Sequence, residues 1–179
     1  WYGRFDVNDY KINLDNTNAL IEMIEKVGLK FAIVYEDRTL NPVVNAGLAG
    51  STENAAIQDM QYIEDNYFSK SSYYYVNDQP LLLVFGPTTL QSEANWNNIF
   101  SNLETQPAFL TYSGGVSVGS ASLGEFAWVF DGNETLEQEY YQNLDDFILP
   151  MGSAYPGFHD FYLEGGVGPN FFYLPHNNG

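Results

Sequence analysis

The order of elements predicts an α/β domain built on a parallel sheet. Short apolar runs at residues 31–34, 81–85, 108–112 and 126–130 alternate with stretches of helical apolar spacing. The runs are apolar throughout, as strands buried on both faces are. No linker, internal repeat or low-complexity tract divides the chain, so residues 1–179 read as a single domain.

Taken in order, Trp1-Tyr2-Gly3 reads as the tail of a strand. Residues 4–15 are polar; Asp6, Asn8, Asp9, Asn13 and Asp15 lack the Gly and twelfth-position Glu of a calcium loop, so a solvated loop is expected. A first helix is expected over residues 17–27. Asn16 caps it, Leu20, Ile21, Ile24 and Val27 form its apolar stripe, and Gly28 stops it. The strand at residues 30–38 follows at once. Alternation sets Ala32, Val34, Glu36 and Arg38 on one face and Phe31, Ile33, Tyr35 and Asp37 on the other. The bulkier set suits packing under helices, and the smaller set suits a barrel interior or cleft.

Residues 41–51, with Pro42, Gly47 and Gly50, read as a loop. A second helix follows Thr52, with Ala56, Ile57, Met60, Ile63 and Tyr67 at helical spacing. Tyr73-Tyr74-Tyr75-Val76, the turn-forming Asn77-Asp78 and residues 80–85 read as an arm into a strand that ends at Gly86-Pro87. The three tyrosines could form a platform for a sugar, but alternation puts Tyr74 opposite the other two, so at least one is expected to pack. A third helix is expected over residues 91–103, carrying Trp96, Ile99, Phe100 and Leu103, and Pro107 introduces the strand 108–112. Residues 113–120 fail the dinucleotide fingerprint and lack the Lys of a phosphate loop, so they read as a flexible loop. A strand at 126–130, a helix at 134–144 with an acidic first turn and a strand at 146–151 follow. The rest reads as loop. Counting Trp1, this makes about six strand positions, against the eight of a (β/α)8 TIM barrel and its typical ~250 residues. The start at a strand end and the irregular finish lead to the expectation of a barrel incomplete in this chain. The rival architecture is a complete flavodoxin-like domain, opposed by the missing phosphate loop.

Composition narrows the partners. The net charge is −17 with six Lys and Arg, so the field repels phosphate backbones, and nucleic acid and anionic membranes are poor partners. No apolar run is long enough to span a bilayer, so no membrane insertion is expected. Absence of cysteine excludes disulfides and thiolate metal sites, and with no metal or cofactor motif none is expected. Aromatics make up 17%, with 14 Tyr, whose amphipathic rings suit carbohydrate surfaces as well as large cores. The composition leans toward a secreted, periplasmic or cell-surface protein.

The chain holds no nucleophile elbow and no metalloprotease helix, and His159 and His176 are far apart. Its chemistry is acidic and aromatic: Glu36, Asp37, Asp131 and Asp160, with Tyr35, Tyr112, Trp128 and Tyr155. All lie at or near expected strand ends, the edge where parallel α/β folds bind ligands. Glu36 is the leading candidate carboxylate; a Glu36–Arg38 or Asp37–Arg38 surface ion pair is the competing reading. His159, next to Asp160, reads as a polar site or a structural hydrogen bond. Carboxylates among aromatics without a cofactor motif suit glycoside hydrolysis, which uses two carboxyl groups flanking the bond.

Several segments carry a resemblance: Trp1-Tyr2-Gly3, residues 28–40 with Tyr35-Glu36-Asp37-Arg38, residues 65–83, Phe126-Ala127-Trp128, and Tyr155-Pro156-Gly157-Phe158-His159-Asp160. Together these resemble bacterial glycoside hydrolases of the family 71/99-like group, related to endo-α-mannosidases and endo-α-mannanases. The resemblance implies a (β/α)8 barrel and retaining hydrolysis of an α-linked, mannan-like extracellular polysaccharide or glycan. In the mannan-active branch the substrate 2-OH replaces an enzymic nucleophile. It implies Glu36 as the active-site Glu at an early strand end and Pro156-Gly157 with Asp160 as a late-strand substrate loop. Placement at expected strand ends makes Glu36 and Asp160 the catalytic candidates, and Tyr35, Asp37, Arg38, Tyr112, Trp128, Tyr155 and His159 the substrate-binding ones. The mannan-active branch carries its acid and base in an Asn-Glu-Trp-x-Glu-Gly type motif, and this chain has none. That departure keeps a noncatalytic glycan-binding protein on the same scaffold as the rival function.

Overall fold

In the computed structural model, which describes residues 1–128, 134–154, 157–170 and 173–174, the apolar runs form one sheet. Its strands are β1 (Ile33–Tyr35), β2 (Tyr75–Val76), β3 (Gln79–Val84), β4 (Ala108–Tyr112) and β5 (Gly124–Phe126). β1, β3, β4 and β5 lie side by side in that order and all are parallel. β2 pairs antiparallel with the start of β3. The hairpin between them turns at Asn77 and Asp78, with φ of 48° and 64°, values these two side chains tolerate better than most. Backbone pairing continues beyond both edges. Trp1 N donates to Val34 O at 2.6 Å, and Glu36 N donates to Trp1 O at 3.0 Å. Past β5, Met151 N donates to Glu125 O at 2.9 Å and Ala127 N to Met151 O at 2.7 Å.

The helices are α1 (Tyr10–Lys26), α2 (Leu40–Asn45), α3 (Thr52–Ile63), α4 (Glu93–Phe100) and α5 (Glu134–Gln142). Ser51 and Ser92 cap α3 and α4, each accepting the amide three residues on. Ile33, Tyr35, Leu82, Val84 and Phe109 share a core with Ile21, Val43, Met60, Ile63, Trp96 and Ile99. Residues of opposite parity, Ala32, Val34, Leu81, Leu83, Ala108 and Leu110, cluster with one another and with Leu149 and Met151 on the second face. The face assignment expected for the β1 residues therefore holds. Parallel strands joined in chain order by right-handed crossovers put their helices on one side. A flavodoxin-like sheet reverses its strand order at a switch point, and this order runs without reversal.

Several elements differ from expectation. α1 starts at Tyr10, because Asp9 adopts a left-handed φ of 63° and turns the chain into a helix ahead of Asn16. Its buried residues are Leu14 and Ile21; Leu20 and Val27 of the expected stripe are exposed. The helix rests on the core partly through polar Asn18, whose Oδ1 accepts from the Tyr67 hydroxyl at 2.8 Å. The loop at 41–51 contains α2, whose first turn tolerates Pro42 because no intrahelical partner is needed there. The strand expected at 126–130 begins at Gly124, and residues 129–133 lie outside the described residues. Residues 144–146 form a 3-10 turn where a strand was expected to begin. The C-terminal loop contains β6 (Phe158–His159) and β7 (Tyr173–Leu174), an antiparallel pair forming a separate sheet.

Candidate functional site

At the carboxyl ends of the parallel strands the register carries on, one residue past β1 and β3. Phe85 N donates to Tyr35 O at 2.8 Å, and Tyr112 N donates to Gly86 O at 3.0 Å. Tyr112 pairs with Phe126. Parity then aligns Glu36, Phe85, Tyr112 and Phe126 in one row, on the second face, at the carboxyl edge of the sheet. The Phe85 and Tyr112 rings lie 5.1 Å apart, and Tyr112 and Phe126 6.0 Å apart. Trp128 stands edge-on to Phe85 at 5.5 Å and is 46% exposed. Beneath the row, Val34, Leu83 and Leu110 make an apolar floor. Burial raises the Tyr112 phenol above its ordinary value, so it stays a neutral donor and acceptor.

Glu36 is the carboxylate of this row. Its side chain is 15% exposed, and Oε2 lies 2.5 Å from Arg38 Nε in an ion pair without hydrogen-bond alignment. The Glu36–Arg38 pairing weighed from the sequence is therefore present. It leaves the carboxylate beside the aromatic row with Arg38 exposed at its side.

Two of the substrate-binding candidates have other work. Asp37 is fully buried and accepts from Thr88 N, Thr88 Oγ1, Thr89 N and Leu90 N at 2.7 to 3.1 Å. It opens the 3-10 turn Asp37–Thr39 that follows β1, and from there it fastens the end of β1 to the loop after β3. The clasp leaves no room at Gly86: a Cβ there would lie 2.7 Å from Thr88 N and 3.1 Å from Asp37 Oδ1, with φ at 148°. Tyr35 is also fully buried, and its hydroxyl donates to Asp59 Oδ2 at 2.8 Å. Asp59 accepts from Arg4 N at 2.8 Å as well. Burial lifts the Asp59 carboxyl to about 6, against these two hydrogen bonds, and holds the Tyr35 phenol well above its usual range.

The remaining candidates are dispersed. His159 sits in β6, with Nε2 3.0 Å from Asn170 Nδ2 and 3.9 Å from Glu164 Oε1. Asp160 is buried just past β6, so it and Glu36 belong to different sheets. Tyr155, Asp131 and His176 lie outside the described residues. Sequence reading missed Phe85, although its parity with Leu81 and Leu83 was available. It also missed Asp59, whose partners at Arg4 and Tyr35 leave no local signal. Glu125 is a further omission: burial raises its carboxyl, countered by hydrogen bonds from Gly114 N–H and the Ser113 hydroxyl.

Among the described residues, no group of three His, Asp or Glu is placed to hold a metal ion. No helix among them is long and apolar enough to cross a membrane. The chain matches no protein-family model, no curated protein and no solved structure.

Proposed function

We propose that the aromatic row binds an α-linked, mannan-like glycan and that the protein is a glycoside hydrolase in which Glu36 is presented to the scissile bond. The observation that carries this reading is the row itself: one shielded carboxylate in register with Phe85 and Tyr112, with Trp128 exposed beside them. Pyranose rings offer apolar C–H faces to aromatic rings and hydroxyls to a carboxylate, a guanidinium and a phenol. The same reading takes the fold as a (β/α)8 barrel of which these strands are one wall. Chain-order parallel strands with helices on one face and an apolar layer on the other support it. An extracellular polysaccharide as substrate implies a secreted, periplasmic or cell-surface protein.

Retaining hydrolysis with an enzymic nucleophile uses a second carboxyl about 5–5.5 Å from the first. Asp160, the other candidate, is buried just past β6 at a separate sheet. The reading therefore rests on Glu36 with the substrate 2-OH as nucleophile, as in the mannan-active branch. A second reading, a noncatalytic glycan-binding protein on the same scaffold, is favoured by one observation: Glu36 is the row's one carboxylate and is paired with Arg38. Turnover of α-mannan and calorimetric titration with a manno-oligosaccharide, on the wild type and on Glu36→Gln, separate the two. Hydrolysis requires turnover that Glu36→Gln lowers by roughly 10²-fold or more while binding persists. Binding without turnover in the wild type selects the noncatalytic reading. Failure to bind, or wild-type turnover in Glu36→Gln, sinks the assignment of Glu36.

A further inference from the structure

At the end of the sheet where β1 begins, opposite the aromatic row, a cleft of about 480 Å³ is lined by Lys30, by residues 68–71 and by Tyr73, Tyr74 and Tyr75. Its charge is unlike that of the rest of the molecule. The chain has six Lys and Arg against 23 Asp and Glu, yet Lys30 and Lys70 both line this one cleft. Lys30 is exposed and its ammonium donates to the Ser71 carbonyl, a neutral partner. Among the described residues no carboxylate comes within ion-pair distance of it. Lys70 lies 3.3 Å from Glu25 Oε1, which also accepts from Ser72 Oγ at 3.0 Å. With Glu25 set against Lys70, the cleft keeps the single uncompensated charge of Lys30.

The tyrosines supply the rest. Tyr74 and Tyr75 are 48% and 41% exposed, and the Tyr75 hydroxyl is anchored on Phe68 O at 2.9 Å. Tyr73 is buried between them and the core, with its ring edge-on to Tyr75 at 6.2 Å and its hydroxyl donating to Leu81 O. The cleft thus offers amphipathic rings held from beneath, serine hydroxyls at its rim and one cation that no carboxylate among the described residues pairs.

We propose that this cleft binds a sugar carrying one negative charge, borne as a sulfate ester or a uronate carboxylate. Exposed tyrosines suit the mixed apolar and hydroxylated surface of a pyranose. A lone lysine ammonium is a point charge that meets a single oxyanion without demanding two-point geometry. Nucleic acid fits poorly, because its densely charged backbone meets a protein of net charge −17. The site lies away from Glu36 and stands whether or not the aromatic row acts on a glycan.

The test is calorimetric titration of the whole protein with glucose 6-sulfate, with glucuronate and with glucose, at low and at moderate salt. Saturable binding of at least one anionic sugar, weakened by salt and stronger than that of glucose, is expected. The tighter of the two anionic probes identifies the oxyanion. Lys30→Gln should lower that affinity roughly fivefold, the scale of one exposed charge pair, and Lys30→Arg should restore most of it. Tyr74→Ala should weaken both anionic sugars while leaving the thermal melt unchanged. Equal binding of glucose, full affinity in Lys30→Gln, no saturable binding, or tighter binding of a mixed-sequence oligonucleotide overturns the proposal.

Discussion

Glu36 and Asp37 are adjacent in the chain, yet Glu36, still extended, joins the aromatic row, while Asp37 opens a 3-10 turn and is buried against the loop after β3. Asp37 meets four donors there and serves as a clasp. Asp59 is buried as deeply with fewer donors, and its carboxyl rises from 3.8 to about 6. The folded state therefore holds this proton more tightly than the unfolded chain does. Stability from this group is full below about pH 3.8 and is lost as the pH rises through about 6. The whole difference is on the order of 3 kcal/mol. Asp59→Asn keeps an acceptor for Arg4 N–H and removes the buried charge. Denaturant melts should find it at least as stable as the wild type at pH 7, with the two converging near pH 4. A variant markedly weaker at pH 7 would show that the ionised carboxylate is the stabilising form.

At the scale of elements, α1 separates two descriptions of one amphipathic helix. Apolar spacing in the sequence puts Leu20, Ile21, Ile24 and Val27 on its packed face, whereas the structure buries Leu14 and Ile21 and leaves Leu20 exposed. Truncation distinguishes them. Ile21→Ala should cost roughly 2–4 kcal/mol through lost burial and a residual cavity, while Leu20→Ala should stay within about 0.5 kcal/mol. Equal losses in chemical denaturation would restore the stripe expected from the sequence. α4 is the contrasting case. Trp96, Ile99 and Phe100 were expected as its apolar face and all are buried, with the Trp96 ring 4.5 Å from Phe109 and its Nε1 donating to Leu90 O at 2.8 Å. Trp96→Ala should cost roughly 3–5 kcal/mol, read from the same denaturation curves.

For the whole molecule, the charge of −17 sets a uniform repulsion that folding must overcome. Its ion pairs, such as Lys11–Asp15, are mostly exposed and contribute little. Screening should therefore help more than it harms. Raising the salt from a few millimolar to about 0.15 M, where the Debye length is roughly 8 Å, should raise Tm by roughly 2–4 °C. A falling Tm would mean that attractive pairs outweigh the net repulsion. What the sequence determined by itself is the part that depends on near neighbours. The apolar runs of β3 and β4, the two faces of β1 and the Asn77-Asp78 turn were legible because pleat, side-chain volume and turn geometry act over a few residues. Tertiary structure decided the rest. The clasp of Asp37 needs Thr88 to Leu90, the Asp59 contacts need Arg4 and Tyr35, and the row needs Glu36, Phe85, Tyr112 and Trp128 brought together from separate strands. Strand register is a relation between distant segments, settled when both faces of the sheet are buried at once, and no local pattern encodes it.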